Sequence, residues 1–180
     1  MEHREHDACG VGFVAQLDGG APSHAVVRHA LAAVAAMEHR GARGADGRTG
    51  DGAGLLIETP RAILLRELAR AHVRVPERHL AAICVFLPAL DAAAASVRHR
   101  IETAVRGAGV APLRWRVPQV DAGVLGAHAR ATAPSYEQLL VDVGPGNARE
   151  RMRAVRRAVE TALGDDESAT LVSASPSSVV

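Results

Sequence analysis

The sequence predicts a mixed α+β or layered α/β domain, and three observations lead to this expectation. Segments with strand and helix patterns alternate along 180 residues, which is enough chain for one domain with its own core. Hydrophobic residues make up 48% of the chain but aromatics only 2%, so Ala, Val and Leu must build the core. The net charge of +1, without a basic stretch interleaved with aromatics, gives no support for nucleic-acid binding.

The first third of the chain predicts a strand, a helix and a long loop. Residues 10–16, "GVGFVAQ", have the pattern of a short strand. Ser23 is a suitable N-cap for a helix with apolar residues at helical spacing, and Gly41 can end that helix. Six glycines in residues 41–54, "GARGADGRTGDGAG", exclude a regular element and predict a loop that turns sharply or approaches another group closely.

The middle of the chain predicts two helices around one buried strand. Residues 53–59, "AGLLIET", are predicted to form a strand, and Pro60 suits the first turn of the helix that follows. Residues 79–88, "HLAAICVFLP", predict a buried strand that ends at its proline. Asp91 can cap the next helix, and a glycine at 107 or 109 can stop it.

The last third predicts strands on both sides of one amphipathic helix. Residues 111–126 predict a strand, a turn and a second short strand, and residues 135–144 predict a further strand despite their Glu and Gln. Pro145 is predicted to open a helix over residues 145–164, with Val155 and Val159 on one side and arginines on the other. Residues 168–175 predict another strand, and the final valines resemble the start of one more.

The N-terminus and the cysteine content indicate the compartment. "MEHREHDA" is charged and has no apolar core, so it is neither a signal peptide nor a transit sequence. No apolar run approaches the roughly 20 residues needed to span a bilayer. Two cysteines make no disulfide framework. We therefore expect a cytoplasmic protein with neither a membrane nor nucleic acid as a partner.

Cys9 stands directly before a glycine-flanked strand pattern, and two interpretations are open. A thiolate is the reactive form of cysteine, and a free thiol has a pKa of about 8.5, so a base must help. If the residues before Cys9 are removed, its own α-amine, with a pKa of about 8, can take up the thiol proton. The alternative is a small buried apolar residue, which is the interpretation preferred for Cys84 within "AAICVFLP".

Several stretches in order resemble one known family. "CGVGFVAQLDG", "SHAVVRHALAAVAAMEHRGA" and "ADGRTGDGAGLLIETP" are similar to the start of the large subunit of glutamate synthase. "VDAGVLGAHARATAPSYEQLLV" and the late "LVSAS" also look like their family counterparts. The matching region there is a class II glutamine amidotransferase domain of the N-terminal-nucleophile type. The resemblance runs from Cys9 to the end and is weakest over residues 61–111.

The resemblance implies a cleaved leader and a glutaminase. Residues 1–8 would be the cleavable leader, and residues 9–180 part of the amidotransferase domain. The Cys9 thiolate would attack the side-chain amide of L-glutamine, release ammonia for transfer to 2-oxoglutarate, and leave a thioester that water hydrolyses to glutamate. The implied fold is a four-layer αββα sandwich, here incomplete at its C-terminal side. FMN and an iron–sulfur cluster would belong only to a full-length synthase, whose remaining large subunit and small subunit are the implied partners.

The "HRG" motif and the glycine-rich loop supply the remaining candidate site residues. The resemblance places Arg40 close to the nucleophile, where a forked, permanently charged group can organise carbonyls or a carboxylate. Alternatively, Arg40 is an ordinary arginine at a helix C-terminus. Asp46 and Asp51 are expected to hydrogen-bond loop amides rather than to act in catalysis. Of the nine histidines, the densest stretches, residues 3–6 and 98–100, give no paired ligands on one helix face with a carboxylate or cysteine partner, so no metal is expected.

The sequence departs from the family by lacking two motifs of the glutamine pocket. The family's Arg-Phe-Ser-Thr-Asn-Thr segment and its oxyanion-hole Asn-Gly pair do not occur. Without such a hole, the tetrahedral intermediate loses donors worth about 3–4 kcal/mol each. Three interpretations follow: the leading fragment of a longer synthase, a stand-alone protein with weak glutaminase or thiol chemistry, or a non-catalytic remnant or interaction module. The first is preferred, with little turnover by the isolated chain and association through the edge at "SSVV".

Overall fold

The protein is described by a computed structural model that covers residues 10–17 and 23–180, apart from the Arg40 side chain. In chain order the helices are α1 (His24–Ala36), α2 (Arg61–Arg70), α3 (Asp91–Gly107), α4 (Ala127–Thr132) and α5 (Ala148–Leu163). The strands are β1 (Ile57–Glu58), β2 (Leu80–Leu87), β3 (Ala111–Arg116), β4 (Ser135–Asp142), β5 (Thr170–Ser175) and β6 (Ser178–Val179). Short 3₁₀ helices lie at Glu38–Arg40, Glu77–His79 and Ala122–Val124.

The described residues fall into two units. The smaller unit holds α1, the glycine-rich loop, and the 121–132 segment with α4. The larger unit, residues 56–120 and 133–180, holds all six strands named above with α2, α3 and α5. Helices combined with antiparallel sheets confirm the α+β class expected from the sequence.

The larger unit is built on a four-stranded antiparallel sheet with the order β3-β4-β2-β5. Strand β2 lies inside the sheet, and each of its residues except Phe86 is buried. A strand buried on both faces reads as a continuous apolar run, which is why "LAAICVFL" predicted this element correctly. The strand predicted over 135–144 is also confirmed, because Leu139, Leu140 and Val141 outweigh its polar residues.

Helices α3 and α5 cover one face of this sheet. Helix α3 buries Ala94, Val97, Ile101 and Val105, and α5 buries Met152, Val155, Val159 and Leu163. These positions recur every three or four residues, so each helix presents one apolar stripe to the sheet. Burying each Val, Leu or Ile side chain contributes about 1.5–3 kcal/mol, which makes this face the main core of the unit.

Helix α2 and a second, two-stranded sheet pack on the opposite face. Strand β1 pairs antiparallel with β6 in this small sheet. Leu64 and Leu68 of α2 and Val179 of β6 join Cys84 and Leu140 in a second buried cluster. Cys84 is fully buried, as predicted. Because β6 pairs with β1, part of the "SSVV" segment expected to form an open edge has a strand partner within the unit.

Local sequence signals account for most helix ends. Ser23 caps α1, accepting a hydrogen bond from the Ala25 amide at 3.1 Å. Helix α5 begins at Ala148, three residues after the predicted start at Pro145, because Asn147 caps it in the same way, and Gly164 ends it with a φ of +55°. Asp91 was predicted as the cap of α3, but Leu90 occupies the cap position and Asp91 is the first helical residue. Its carboxylate still lies in the first turn, where the helix dipole favours it.

Three strand predictions are wrong or too long. Residues 10–16 form no strand, since Val11 and Phe13 are 98% and 94% exposed and no described strand pairs with them. Only Ile57–Glu58 of the predicted 53–59 strand is paired, because its partner β6 is itself two residues long. In place of a second strand before residue 126, the Asp121 side chain accepts the Gly123 amide and starts a 3₁₀ turn.

The sequence contains no apolar run long enough to span a bilayer, and the helices can be compared with that expectation. Among the helices in the described part of the chain, none combines the length and apolarity needed to cross a bilayer.

An ion pair inside the larger unit provides a test of the fold. Arg98 holds the Glu137 carboxylate through two hydrogen bonds of 2.5 and 2.8 Å, and Glu137 is 1% exposed. Replacing Arg98 by Ala should lower the free energy of unfolding by about 3 kcal/mol, because a buried carboxylate loses its partner. Arg156→Ala removes only an exposed pair with Glu160 and should cost about 0.3–0.5 kcal/mol. Urea denaturation of both variants measures the difference, and equal losses would contradict the packing described.

Candidate functional site

The structure describes only part of the two predicted site residues, Cys9 and Arg40. Cys9 and the predicted leader are outside the described residues. The backbone of Arg40 is described as the last residue of the 3₁₀ helix, while its side chain is not. The structure therefore leaves the contact between Cys9 and Arg40 as a prediction and describes the chain that leads away from Arg40.

The backbone around Arg40 changes direction in two steps. Helix α1 ends at Ala36, and the chain tightens into the 3₁₀ turn, where a ring nitrogen of His39 lies 2.9 Å from the Ala36 carbonyl oxygen. The Gly41 amide then closes the turn on the Glu38 carbonyl at 3.1 Å, with Gly41 in extended conformation. Gly41 thus ends the short 3₁₀ turn rather than α1 itself, and Arg40 lies where helical chain becomes loop.

A closed hairpin-like loop begins directly after Arg40. The Ala42 amide donates to the Asp51 carboxylate at 2.8 Å, and the Asp51 amide donates back to the Ala42 carbonyl at 3.3 Å. An antiparallel bridge joins Arg43 and Gly50 inside this clasp. At the tip, Gly47 has a φ of +67°, a conformation that favours glycine. The glycine-rich segment is therefore an ordered loop, as its composition predicted.

Asp46 organises the tip of the loop. One of its oxygens accepts the Arg48 and Thr49 amides at 3.0 and 2.7 Å, and the other accepts the Thr49 hydroxyl at 2.6 Å. These bonds, led by that from the Thr49 hydroxyl, hold the pKa of Asp46 far below its ordinary value of 3.8. Asp46 is therefore a charged anchor for the turn and not a general base. The expectation that Asp46 and Asp51 bind loop amides is confirmed.

The same loop side chains reach the first turn of α4, about 80 residues away in sequence. The His128 amide lies 3.4 Å from the second oxygen of Asp46, and the Ala129 amide lies 3.4 Å from the Thr49 hydroxyl. The first amides of a helix have no partner within it, so these contacts supply a cap from outside. The loop after Arg40 is thereby fastened to the 121–132 segment.

Gly126 makes this close approach possible. A Cβ atom at Gly126 would lie 2.6 Å from both the Asp46 carboxylate and the Thr49 amide, distances that real Cβ atoms do not show. The Arg48 guanidinium adds contacts of 3.5 and 3.4 Å to the carbonyls of Gly123 and Val124. We call the set Asp46, Arg48, Thr49 and Gly126, with the first turn of α4, the loop anchor.

The loop anchor is suited to holding the backbone after Arg40 in place, since its polar groups hydrogen-bond to one another. Sequence reasoning identified Asp46 but missed Thr49 and Gly126, although both lie in stretches that carry the family resemblance. The glycines near both residues were the available sequence signal, but composition does not indicate that the 41–54 loop contacts the 121–132 segment. Among the residues that the structure describes, no group of three His, Cys, Asp or Glu side chains could hold a metal ion.

Comparison with known proteins defines the class to which this geometry belongs. Residues 9–180 match the family of class II glutamine amidotransferases, so the chain belongs to that family and has its N-terminal-nucleophile hydrolase fold. The chain is 37% identical over 169 residues to the glutamate synthase [NADPH] large chain of Azospirillum brasilense. It is 39% identical over 149 residues to ferredoxin-dependent glutamate synthase 2 of Synechocystis sp..

These alignments cover most of the chain but little of its relatives. They include 91% and 82% of the present chain, but only 11% and 10% of the two relatives. Ferredoxin-dependent glutamate synthase 1 of Arabidopsis thaliana shows the same relation, with 33% identity over 90% of this chain and 10% of its own length. The chain thus spans about a tenth of the length of these curated relatives.

The close approach at Gly126 can be tested with a matched pair of glycine variants. Gly126→Ala should displace the loop, because its new methyl group overlaps the Asp46 carboxylate and the Thr49 amide. Trypsin should then cleave after Arg43 and Arg48 several-fold faster. Gly52→Ala, in the same glycine-rich segment but with open space at its Cβ position, should leave the cleavage rates unchanged. Unchanged cleavage in both variants would contradict the anchor.

The ionisation of Asp46 predicts how the loop responds to acid. A pKa lowered by folding stabilises the loop fully above the ordinary value near 3.8, and this contribution disappears as the pH falls toward the folded-state pKa. Hydrogen exchange of the Arg48 and Thr49 amides should therefore accelerate, relative to intrinsic rates, only below about pH 4. Asp46→Asn should show faster exchange already at pH 7, whereas Asp165→Asn should not. An Asp46 titration midpoint at or above 3.8 would oppose this prediction.

Proposed function

We propose that the chain is the glutaminase part of a glutamate synthase. In this proposal it hydrolyses L-glutamine to L-glutamate and ammonia through a thioester on Cys9. The observation that carries the proposal is the family match, which begins at residue 9, where the sequence places a cysteine. Residues 1–8 are then the cleavable leader, and residues 9–180 part of the amidotransferase domain.

Cys9 would supply both the nucleophile and the base. Once the leader is removed, its α-amine can take the thiol proton, and the thiolate can attack the amide carbon of the glutamine side chain. Ammonia leaves with that proton, and water cleaves the thioester to free glutamate and thiol. An amide nitrogen in the chain interior is not basic, so this chemistry requires the processed N-terminus.

The Arg40 side chain is proposed to lie near the nucleophile and to organise carbonyls or a carboxylate there. The loop anchor would hold the Arg40 backbone in place. Arg40 ends the 3₁₀ helix, and the clasp between Ala42 and Asp51 starts two residues later. When the backbone is fixed on both sides of a residue, the side chain of that residue can reach fewer positions. Its contacts are then preorganised. This supports a site-organising role for Arg40 over that of an ordinary helix-terminal cation.

The sequence also limits the activity expected of this 180-residue segment. Its single asparagine, Asn147, caps α5 by accepting the Glu150 amide at 3.2 Å and is thus employed in the fold. No Asn-Gly pair is present in residues 1–180 to form an oxyanion hole. Loss of each such donor slows acyl transfer about 10²–10³-fold, so turnover by the segment alone should be weak.

The remaining activity would belong to a longer enzyme. Transfer of ammonia to 2-oxoglutarate, FMN and an iron–sulfur cluster are assigned to the rest of a large subunit, and a small subunit is a further partner. The large chains that resemble this one are named as glutamate synthases, and the chain covers only about a tenth of them. A cytoplasmic location agrees with two cysteines that make no disulfide framework.

Labelling with a diazo-ketone analogue of glutamine tests the proposed nucleophile. The analogue alkylates a reactive thiolate with loss of dinitrogen. Intact mass spectrometry counts the adducts, and the cysteine variants assign them to a residue. A chain beginning at Cys9 should take up one label, and Cys9→Ala should take up none and release no ammonia above background. Cys84→Ala is the matched control, since Cys84 is fully buried and its removal should leave labelling unchanged.

Two results would speak against the proposal. A mature chain that retains residues 1–8 would lack the free amine on Cys9, and the chain would then be a non-catalytic member of the family. Equal labelling of wild type and Cys9→Ala would show that the reagent reacts without a glutamine site.

A further inference from the structure

Strand β3 forms one edge of the four-stranded sheet. Strand β3 is at one end of the sheet order and pairs only with β4 among the described strands. Its other side therefore offers backbone donors and acceptors to an added strand. Pro112 and Pro118, which lack amide donors, bracket the free edge and limit it to about five residues, 113–117.

A basic groove runs beside this edge. It has a volume of about 340 Å³ and is lined by Glu67 and Arg70 of α2 and by residues 114–117. Arg116 binds the Glu67 carboxylate through two hydrogen bonds of 2.7 and 3.0 Å, which neutralises the one acidic group lining the groove. Arg70 and Arg114 are exposed, and neither has an ion-pair partner among the described residues. The groove consequently carries uncompensated positive charge.

The two faces of the edge differ in character. Arg114 and Arg116 pair with Leu140 and Gln138 of β4 and so lie on the α2 side of the sheet. Trp115 packs against the cluster on the other side, where its indole nitrogen donates to Glu102 at 2.8 Å. An added strand would therefore meet arginines with one set of alternate side chains and an aromatic surface with the other.

Charge opposes the pairing of β3 with a second copy of itself. An antiparallel pair centred on Trp115 would place Arg114 of each copy opposite Arg116 of the other, and one centred on Arg114 would place Arg114 opposite itself. Like charges directly opposite each other in a sheet are destabilising. The occupant must instead bring carboxylates to the α2 side of the edge.

We propose that the edge of β3 and its basic groove dock an extended segment of a partner polypeptide in which acidic and apolar residues alternate. The segment adds a strand to the sheet, its carboxylates bind Arg70 and Arg114, and its apolar side chains face Trp115. The proposal does not depend on the proposed glutaminase activity.

Titration with short synthetic peptides tests the docking surface. Trp115 is the only tryptophan of the chain, so its fluorescence reports binding at the edge without a label. A seven-residue peptide of alternating Val and Glu should shift this fluorescence saturably, and the affinity should fall as salt is raised. The corresponding Val–Lys peptide should not bind.

Charge-reversal variants separate a local site from general attraction. Arg70→Glu combined with Arg114→Glu should weaken binding of the Val–Glu peptide about tenfold or more, because both contacts become repulsive. The matched control combines Arg149→Glu with Arg153→Glu on α5, two exposed arginines whose reversal changes the net charge equally. The control should retain the affinity of the wild type, and an equal loss in both double variants would overturn the proposal.

N-methylated peptides test the strand pairing itself. Alternate amides of an added strand face β3, so methylating one set should abolish binding while methylating the other set preserves it. Binding by both methylated peptides would show attraction by charge alone, and no binding by the parent peptide would also defeat the proposal. A concentration-dependent fluorescence change of the chain without peptide would assign the edge to a second copy instead.

Discussion

The double burial of β2 is the constraint on which the larger unit depends. This strand packs against α3 and α5 through one set of alternate side chains and against α2 and the small sheet through the other. Ile83 faces the first cluster and Cys84 the second, and both are fully buried. Neither cluster forms without β2, since its two faces join them, and a one-residue shift in register would exchange the residues that each face presents.

A row of polar residues crosses the otherwise apolar face beneath α2. Ser173, Cys84, Gln138 and Arg116 are neighbours in register on the four strands. Gln138 joins Cys84 and Arg116, donating to Cys84 Sγ at 3.5 Å and to the Tyr136 hydroxyl at 2.9 Å while accepting from Arg116 at 2.5 Å. Burial, with a contribution from Cys84, raises the pKa of Tyr136, which therefore remains a neutral donor. A shift in register would separate the buried Gln138 amide from these partners, which penalises other registers.

The smaller unit relies on contacts between segments far apart in the chain. The glycines after Arg40 let the loop fold back on itself, while Gly126 lets Asp46 and Thr49 reach the first turn of α4. The glycine-rich loop of this chain thus has a positional function, and backbone amides occupy the carboxylates of Asp46 and Asp51. The wrong prediction of a strand before residue 126 has a local origin instead, because the Asp121 side chain accepts the Gly123 amide and starts a 3₁₀ turn.

The sequence by itself determined the elements whose signals are local. The cap at Ser23, the buried run of β2, the apolar stripe of α5 and the turn-forming role of Asp46 follow from neighbouring residues. Ordered motifs from Cys9 through the glycine-rich loop also indicated the family. Tertiary structure alone decided the strand order, the pairing of β1 with β6, the loop anchor and the free basic edge of β3. Each of these joins residues distant in sequence, and a strand or loop takes its final form only when a partner completes its hydrogen bonds.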